Sequence, residues 1–144
     1  MSPVLKNSLA VIAGLVVGGA VNMALVVIGP ILVPPPPGVD MTDMESLAGA
    51  MDQMGPQHFV FPFLAHALGT LAGATLTYVL AGRNRQMLTY GVGVFFLLGG
   101  ITAARMIPAP AWFIALDLLL AYIPMAWLAT RLGDRVGNRI KTSA

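Results

Sequence analysis

The segment PPPPGVDMTD, residues 34–43, separates two long apolar runs and decides how the chain folds. Its four consecutive prolines lack backbone N–H groups and favour a stiff polyproline II arm over a helix. The segment also carries Asp40 and Asp43, so it is expected to lie outside the hydrocarbon of a bilayer. The chain before it therefore crosses a membrane once, and the chain after it starts from the same side.

The composition is that of a membrane protein. Of the 144 residues, 57% are hydrophobic and only 10% are charged, and the mean hydropathy is +0.80. A transmembrane helix needs about 20 mainly apolar residues, and four runs qualify: residues 8–33, 59–81, 87–107 and 112–132. These runs leave no room for a soluble domain. We therefore predict an all-α fold, a single membrane domain over residues 1–144 in which four transmembrane helices form a bundle surrounded by lipid.

The basic residues predict the orientation of this bundle. If the four runs alternate in direction, every Lys and Arg except Arg105 falls on one side of the membrane. Basic residues near the ends of spans stay in the cytoplasm, so we expect both termini to be cytoplasmic and the proline-rich loop to face outward. The basic residues on the predicted inner side are Lys6, Arg83, Arg85, Arg131, Arg135, Arg139 and Lys141. Because the net charge is only +2 and these residues cluster at helix ends, the pI of about 9.4 does not indicate a nucleic-acid partner.

The outer loop, residues 34–57, is predicted to contain a short amphipathic helix at the membrane interface. Thr42 and Glu45 have the spacing of a capping box, which typically starts a helix. Apolar residues then recur at helical spacing until Gly55 and Pro56, with acidic residues on the other faces.

The same loop contains soft metal ligands. Thioethers and imidazole suit Cu(I), and the candidates are Met41, Met44, Met51, Met54 and His58. Methionine also fills irregular apolar surfaces, and this packing role is the interpretation we favour. The chain contains no cysteine, so thiolate ligands are excluded. We expect no bound metal or other cofactor.

Small residues recur at four-residue spacing in the first two spans. Gly14 and Gly18 share a helix face with Asn22, and Gly69 and Gly73 form a similar stripe in the second span. Small residues allow helix backbones to approach closely in lipid. These stripes predict helix-packing faces, and Asn22 lies near the midplane, where a polar side chain is expensive.

A candidate polar site is predicted in the outer half of the membrane. His66, Arg105 and Asp117 converge there by their positions along the spans, and Asn22 is a further polar candidate. Arg105 and Asp117 flank the turn between the third and fourth spans, which predicts an ion pair. The residues either lock neighbouring helices together or form an outward-facing polar pocket. With one histidine deep in the bilayer, two imidazole ligands for haem cannot come from a single chain.

Sequence signatures of catalysis are missing. The chain contains no GxSxG, HExxH or Walker motif, and its serines lie near the termini or in the outer loop. We therefore expect no enzymatic activity.

Several short motifs resemble those of an uncharacterised family of small bacterial four-span membrane proteins. The residues that carry the resemblance are Pro36, Pro37, Gly38, Asp40, Ala65, Leu68, Gly69, Ala72, Gly73, Ile107, Pro108, Pro110, Trp112, Phe113, Tyr122, Pro124 and Ala126. The resemblance implies the same architecture and a bacterial inner membrane. Because the family has no established activity, it supplies no catalytic residue.

Three functions fit the sequence. The first is a structural or accessory membrane protein that packs with itself or with a partner through its glycine-rich helix faces. The second is a small transporter or channel-like protein with an outward-facing polar site. The third is Cu(I) handling by the methionine-rich loop.

Overall fold

The computed structural model describes residues 2–142, and the side chains of residues 2–136. Four segments are long and apolar enough to cross a membrane, which confirms the predicted all-helical bundle: Pro3–Leu32, Pro56–Leu80, Arg85–Met106 and Ala111–Val136. The described part of the chain forms six α-helices: α1 (Pro3–Leu32), α2 (Met44–Gly49), α3 (Val60–Leu80), α4 (Arg85–Met106), α5 (Ala111–Leu120) and α6 (Ile123–Thr142).

The helices extend beyond the apolar runs where polar ends can leave the bilayer. Helix α1 begins at Pro3 instead of near residue 8, because proline is well tolerated in a first helical turn. The Ser2 hydroxyl caps this end by accepting a hydrogen bond from the Leu5 amide at 3.2 Å. Helix α6 likewise continues past residue 132 into the basic tail.

Helices α1 and α3 pack through their glycines. Gly14 lies against Gly73 and Thr77, and Gly18 lies against Gly69. A Cβ atom added at Gly18 would be only 2.7 Å from the carbonyl oxygen of Gly69, so the two backbones approach too closely for any side chain there. The two small-residue stripes predicted from the sequence therefore meet each other within one chain.

The fourth span is broken in its middle. Helix α5 ends at Leu120 and α6 begins at Ile123, because Pro124 has no N–H to donate to the carbonyl of Leu120. The break brings Tyr122 into the bundle, where it is almost fully buried.

The outer loop starts its helix differently from the prediction. The residue that caps α2 is Asp43, whose carboxylate accepts a hydrogen bond from the Ser46 amide at 2.7 Å. The predicted capping box of Thr42 and Glu45 is wrong. The hydroxyl of Thr42 donates instead to Oδ1 of Asp40, at 2.6 Å. The amide of Thr42 donates to the same oxygen, which forms an aspartate turn that begins at Asp40.

This aspartate turn is held by an ionised carboxylate. The hydroxyl and the amide N–H of Thr42 both donate to Asp40, and these hydrogen bonds lower the pKa of its carboxyl below the usual range. The hydrogen bonds to the ionised form stabilise the turn fully at pH values above the ordinary aspartate pKa of about 3.9. The stabilisation is lost only as the pH falls through the lowered value, so the turn is intact at neutral pH.

The outer loop forms a cap on the bundle. Leu47 of α2 and Met51 of the following 3₁₀ turn pack against Phe59 and Phe113. His58 ties the proline arm to the entrance of α3, because its Nε2 lies 3.1 Å from the carbonyl oxygen of Pro34. The loop therefore covers the outer ends of α3 and α5.

Asn7 fastens the opposite end of the bundle. Its Oδ1 accepts hydrogen bonds from the amides of Gly82, at 3.0 Å, and Arg83, at 3.4 Å, and its Nδ2 donates to the Arg83 carbonyl at 3.1 Å. We predict that Asn7→Ala lowers the free energy of unfolding by about 1 kcal/mol, measured by thermal or denaturant unfolding in detergent. Ser8→Ala, at an exposed neighbouring position, is the control. Equal stability of the two variants would show that Asn7 does not fasten this turn.

Candidate polar site

Two helices bring a histidine and an aspartate together. Nδ1 of His66, on α3, lies 2.9 Å from Oδ1 and 3.0 Å from Oδ2 of Asp117, on α5. An ionised carboxylate can only accept, so in that state Nδ1 carries the proton and donates to Asp117. This contact fixes the orientation of the imidazole ring and leaves its Nε2 pointing away from the carboxylate.

Tyr122 completes the cluster. Its hydroxyl donates to Oδ2 of Asp117 at 2.9 Å, and its ring lies 5.7 Å from the ring of His66, centroid to centroid. Gly100 on α4 makes room for this hydroxyl, because a Cβ atom at Gly100 would overlap it. We define the polar cluster as His66, Asp117 and Tyr122.

The members of the polar cluster differ in exposure. The side chain of His66 is 23% exposed, whereas that of Asp117 is 6% exposed. Nε2 of His66 has no hydrogen-bond partner among the described residues. His66 is therefore the more accessible member of the pair.

The polar cluster lies beneath the outer cap. His66 and Asp117 each follow the first residue of their helix by six positions, which places both about 9 Å below the outer ends at 1.5 Å per residue. Phe63 packs against both the apolar cluster of the cap and the apolar residues around Tyr122. One aromatic side chain thus links the cap to the polar cluster.

The polar cluster can exist in two charge states. With Asp117 ionised and His66 neutral, it carries one negative charge, which two hydrogen bonds stabilise. Adding a proton at Nε2 of His66 converts it into a neutral ion pair. Because charge inside hydrocarbon is costly, the two states differ in how well they suit the membrane interior.

Arg105 lies outside the polar cluster, so the ion pair predicted between Arg105 and Asp117 is wrong. Arg105 is exposed in the last turn of α4, and within the part of the chain that the structure describes the one close contact between a basic and an acidic side chain joins His66 to Asp117. Asp117 on α5 faces α3, where its carboxylate lies within hydrogen-bond distance of the His66 imidazole. The long side chain of Arg105 can instead extend toward the membrane surface at its own end of the bundle.

Asn22 is also separate from the polar cluster. It packs against α3, with its Cβ 3.0 Å from the position that a Cβ on Gly69 would occupy. Hydrogen bonds to its side chain are absent among residues 2–136. Asn22 therefore belongs to the contact between α1 and α3.

The candidate Cu(I) ligands of the loop are engaged in packing. Met51 is buried in the cap, Met41 and Met54 pack against it, and Met44 is exposed. Both ring nitrogens of His58 lie against backbone carbonyl oxygens, those of Gly55 and Pro34. Groups of three or more His, Cys, Asp or Glu residues that could hold a metal do not occur within the described residues. These contacts support the packing interpretation of the methionines.

Two polar contacts escaped the sequence analysis. Tyr122 follows Asp117 by five residues, which are not neighbours on a regular helix, and only the break at Pro124 brings them together. At the other end of the bundle, the hydroxyl of Tyr78 donates to Oδ1 of Asp134 at 2.6 Å. Neither pair has a spacing that periodicity alone would detect.

Comparison with known proteins gives no match. No family model, curated protein or solved structure matches the chain at a significant level.

Substitutions at two adjacent glycines, Gly99 and Gly100, test how tightly the Tyr122 hydroxyl is packed. We predict that Gly100→Ala lowers the free energy of unfolding by about 1–3 kcal/mol, because the new methyl group forces the buried tyrosine to move. Gly99→Ala is the matched control, since a Cβ there meets no atom within 4 Å. Thermal unfolding in detergent measures both. Equal stability of the two variants would contradict the tight packing of Tyr122 against Gly100.

Proposed function

We propose that the protein is a small, non-enzymatic, proton-linked transporter or channel-like protein of the bacterial inner membrane. The observation that supports the proposal is the contact between His66 and Asp117, in which a partly exposed imidazole lies within hydrogen-bond distance of a buried carboxylate. Ionisable residues inside a membrane often mark ion or substrate pathways. Histidine is suited to this role because it changes charge near physiological pH.

The proposed orientation places both termini in the cytoplasm. The hydrogen bonds of Asn7 to Gly82 and Arg83 put the start of α1 and the turn between α3 and α4 at the same end of the bundle. Lys6, Arg83 and Arg85 are therefore at one end, as the positive-inside rule requires of a cytoplasmic face. The side chains of Arg139 and Lys141 lie outside the described residues.

In the proposed mechanism, the polar cluster is the outer loading site. A proton enters at Nε2 of His66, while Nδ1 keeps its hydrogen bond to Asp117 and Tyr122 holds the second carboxylate oxygen. Neutralising the cluster lowers the cost of keeping it in hydrocarbon. The changed charge alters the attraction between α3 and α5, which are the helices that carry the pair.

Proton flux into reconstituted vesicles tests this proposal. The purified protein is placed in proteoliposomes that contain a trapped pH-sensitive dye, and a pH gradient is applied. We expect the wild-type protein to carry protons and Asp117→Asn to fall to the rate of protein-free vesicles. Asp52→Asn, an exposed acidic position in the outer loop, is the control that keeps its flux. A wild-type rate equal to that of empty vesicles, or an unchanged rate in Asp117→Asn, would refute the proposal.

A structural or accessory protein that associates with itself is the second candidate. The faces containing Gly14 and Gly73 are occupied within one chain, so self-association requires another surface. Gly91 and Gly99 on α4 offer one, because both are exposed and a Cβ at either meets no atom within 4 Å. Association through α4 predicts that Gly91→Leu with Gly99→Leu converts an oligomer into a monomer in lipid nanodiscs, as measured by mass photometry. A wild-type protein that is already monomeric in nanodiscs would exclude this candidate.

A further inference from the structure

A stripe of aromatic and basic side chains runs along the exposed face of α6. Trp127, Arg131 and Arg135 follow one another at four-residue spacing, and all three are exposed. The guanidinium carbon of Arg131 lies 5.1 Å from the centroid of the Trp127 ring, which is the geometry of a cation–π contact. We call these three residues the α6 stripe.

The arginines of the α6 stripe have no carboxylate partner among residues 2–136. Asp134, which lies between them in sequence, is held instead by the hydroxyl of Tyr78 on α3, at 2.6 Å. The acidic side chain is thereby directed to the bundle, and the α6 stripe presents cationic groups to its surroundings. The charge of the α6 stripe therefore favours an anionic ligand.

The position of the α6 stripe along the span identifies where that ligand lies. Tryptophan is enriched at membrane interfaces, and Arg131 and Arg135 follow Trp127 by about 6 and 12 Å along the helix. A position of Trp127 at the interface would place the guanidinium groups at the depth of lipid phosphates. Leu128 and Leu132 are exposed on the adjacent face and can contact acyl chains.

We propose that the α6 stripe is a binding site for the headgroup of an anionic phospholipid. The guanidinium groups of Arg131 and Arg135 donate hydrogen bonds to the phosphate oxygens, for which their planar fork geometry is well suited. Trp127 holds Arg131 in place from the membrane side, and Leu128 and Leu132 contact the acyl chains. The site is independent of the polar cluster, which lies at the other end of the bundle.

Quenching of Trp127 fluorescence by brominated lipids tests this site. The chain contains two tryptophans, so Trp112→Phe leaves Trp127 as the only reporter in the full-length protein. The detergent-solubilised protein is titrated with phosphatidylglycerol or phosphatidylcholine carrying brominated acyl chains. We expect phosphatidylglycerol to quench at a mole fraction lower by on the order of tenfold, given the usual strength of attraction between basic residues and anionic lipid.

Two double variants distinguish binding at the α6 stripe from general attraction of anionic lipid to the positive charge at this end of the bundle. Arg131→Gln with Arg135→Gln is expected to abolish the preference for phosphatidylglycerol. Lys6→Gln with Arg83→Gln removes the same charge from exposed positions at the same end of the bundle, and is expected to keep the preference. Unchanged elution on size exclusion shows that each variant is folded.

Competition with inorganic phosphate tests whether the α6 stripe binds a soluble anion instead of a lipid, because phosphate would bind the same guanidinium groups. A site for lipid predicts that phosphate does not relieve quenching by phosphatidylglycerol. Equal quenching by the two lipids, equal loss of preference in both double variants, or full relief by phosphate would each overturn the proposal.

Discussion

Replacing Gly14 with leucine is expected to cause the largest loss of stability that a single substitution can produce at the contact between α1 and α3. Even a Cβ atom at this position would overlap the Thr77 hydroxyl and the Gly73 carbonyl. The substitution also displaces Thr77, whose buried hydroxyl lies 3.3 Å from the Ala10 carbonyl oxygen. We predict a decrease in the free energy of unfolding of about 3 kcal/mol or more, at the upper end of overpacking effects.

Gly19 on the same helix provides the control for this prediction. A Cβ there meets no atom within 4 Å, so Gly19→Leu adds the same side chain without a clash. Thermal unfolding in detergent, followed by size exclusion, compares the two variants. If Gly14→Leu were as stable as Gly19→Leu, the close approach of α1 and α3 would be wrong.

The second large effect is expected when one member of the hydrogen-bonded pair of His66 and Asp117 is removed. His66→Leu leaves the Asp117 carboxylate buried with only the Tyr122 hydroxyl as a partner. Removing one partner of a buried charge typically costs about 3–5 kcal/mol, because the Asp117 carboxylate then loses a hydrogen bond that hydrocarbon cannot replace. We expect Asp117→Leu to be comparably destabilising, since it removes the hydrogen-bond acceptor of both His66 and Tyr122.

A double-mutant cycle distinguishes this coupling from simple loss of packing. The double variant, His66→Leu with Asp117→Leu, contains no unpaired charge and is expected to be more stable than the sum of the single effects predicts. The free energies of unfolding of all four proteins are measured in the same detergent. Additivity within about 0.5 kcal/mol would mean that the two residues do not act as a pair.

The four spans were predictable because a chain in lipid must satisfy its backbone hydrogen bonds within helices. That requirement makes long apolar runs such as residues 59–81 a reliable signal. Positions along the spans also placed His66 and Asp117 at the same depth. The small-residue stripes of α1 and α3 were recognisable because close helix packing in lipid depends on side-chain size.

The direction in which each side chain points was harder to predict. Depth alone made Arg105 a partner for Asp117, but depth does not say which way α5 faces. Tyr122 was missed because a break at Pro124 changes the helical register after Asp117. The N-cap of α2 was misassigned to Thr42 because Thr42 and Asp43 are both short polar residues that can cap a helix. Thr42 is hydrogen-bonded to Asp40 instead, so Asp43 caps the helix.

The polar cluster predicts which residues respond to a proton and which merely support them. In the proposed mechanism, His66 accepts the proton at Nε2, Asp117 accepts hydrogen bonds from His66 and Tyr122, and Tyr122 donates one. Phe63 packs both against the cap and against the apolar residues around Tyr122. Proton binding is therefore expected to be a property of one imidazole nitrogen, Nε2 of His66.

Nitrogen-15 NMR of histidine-labelled protein in lipid nanodiscs tests this claim most directly. The chain contains two histidines, so comparison with His58→Gln assigns the signals of His66. At high pH we predict a neutral ring with the proton on Nδ1, and on acidification we predict protonation of Nε2 while Nδ1 keeps its hydrogen bond. A neutral His66 with the proton on Nε2, or a ring that does not change protonation on acidification, would contradict the proposed proton-binding role of His66.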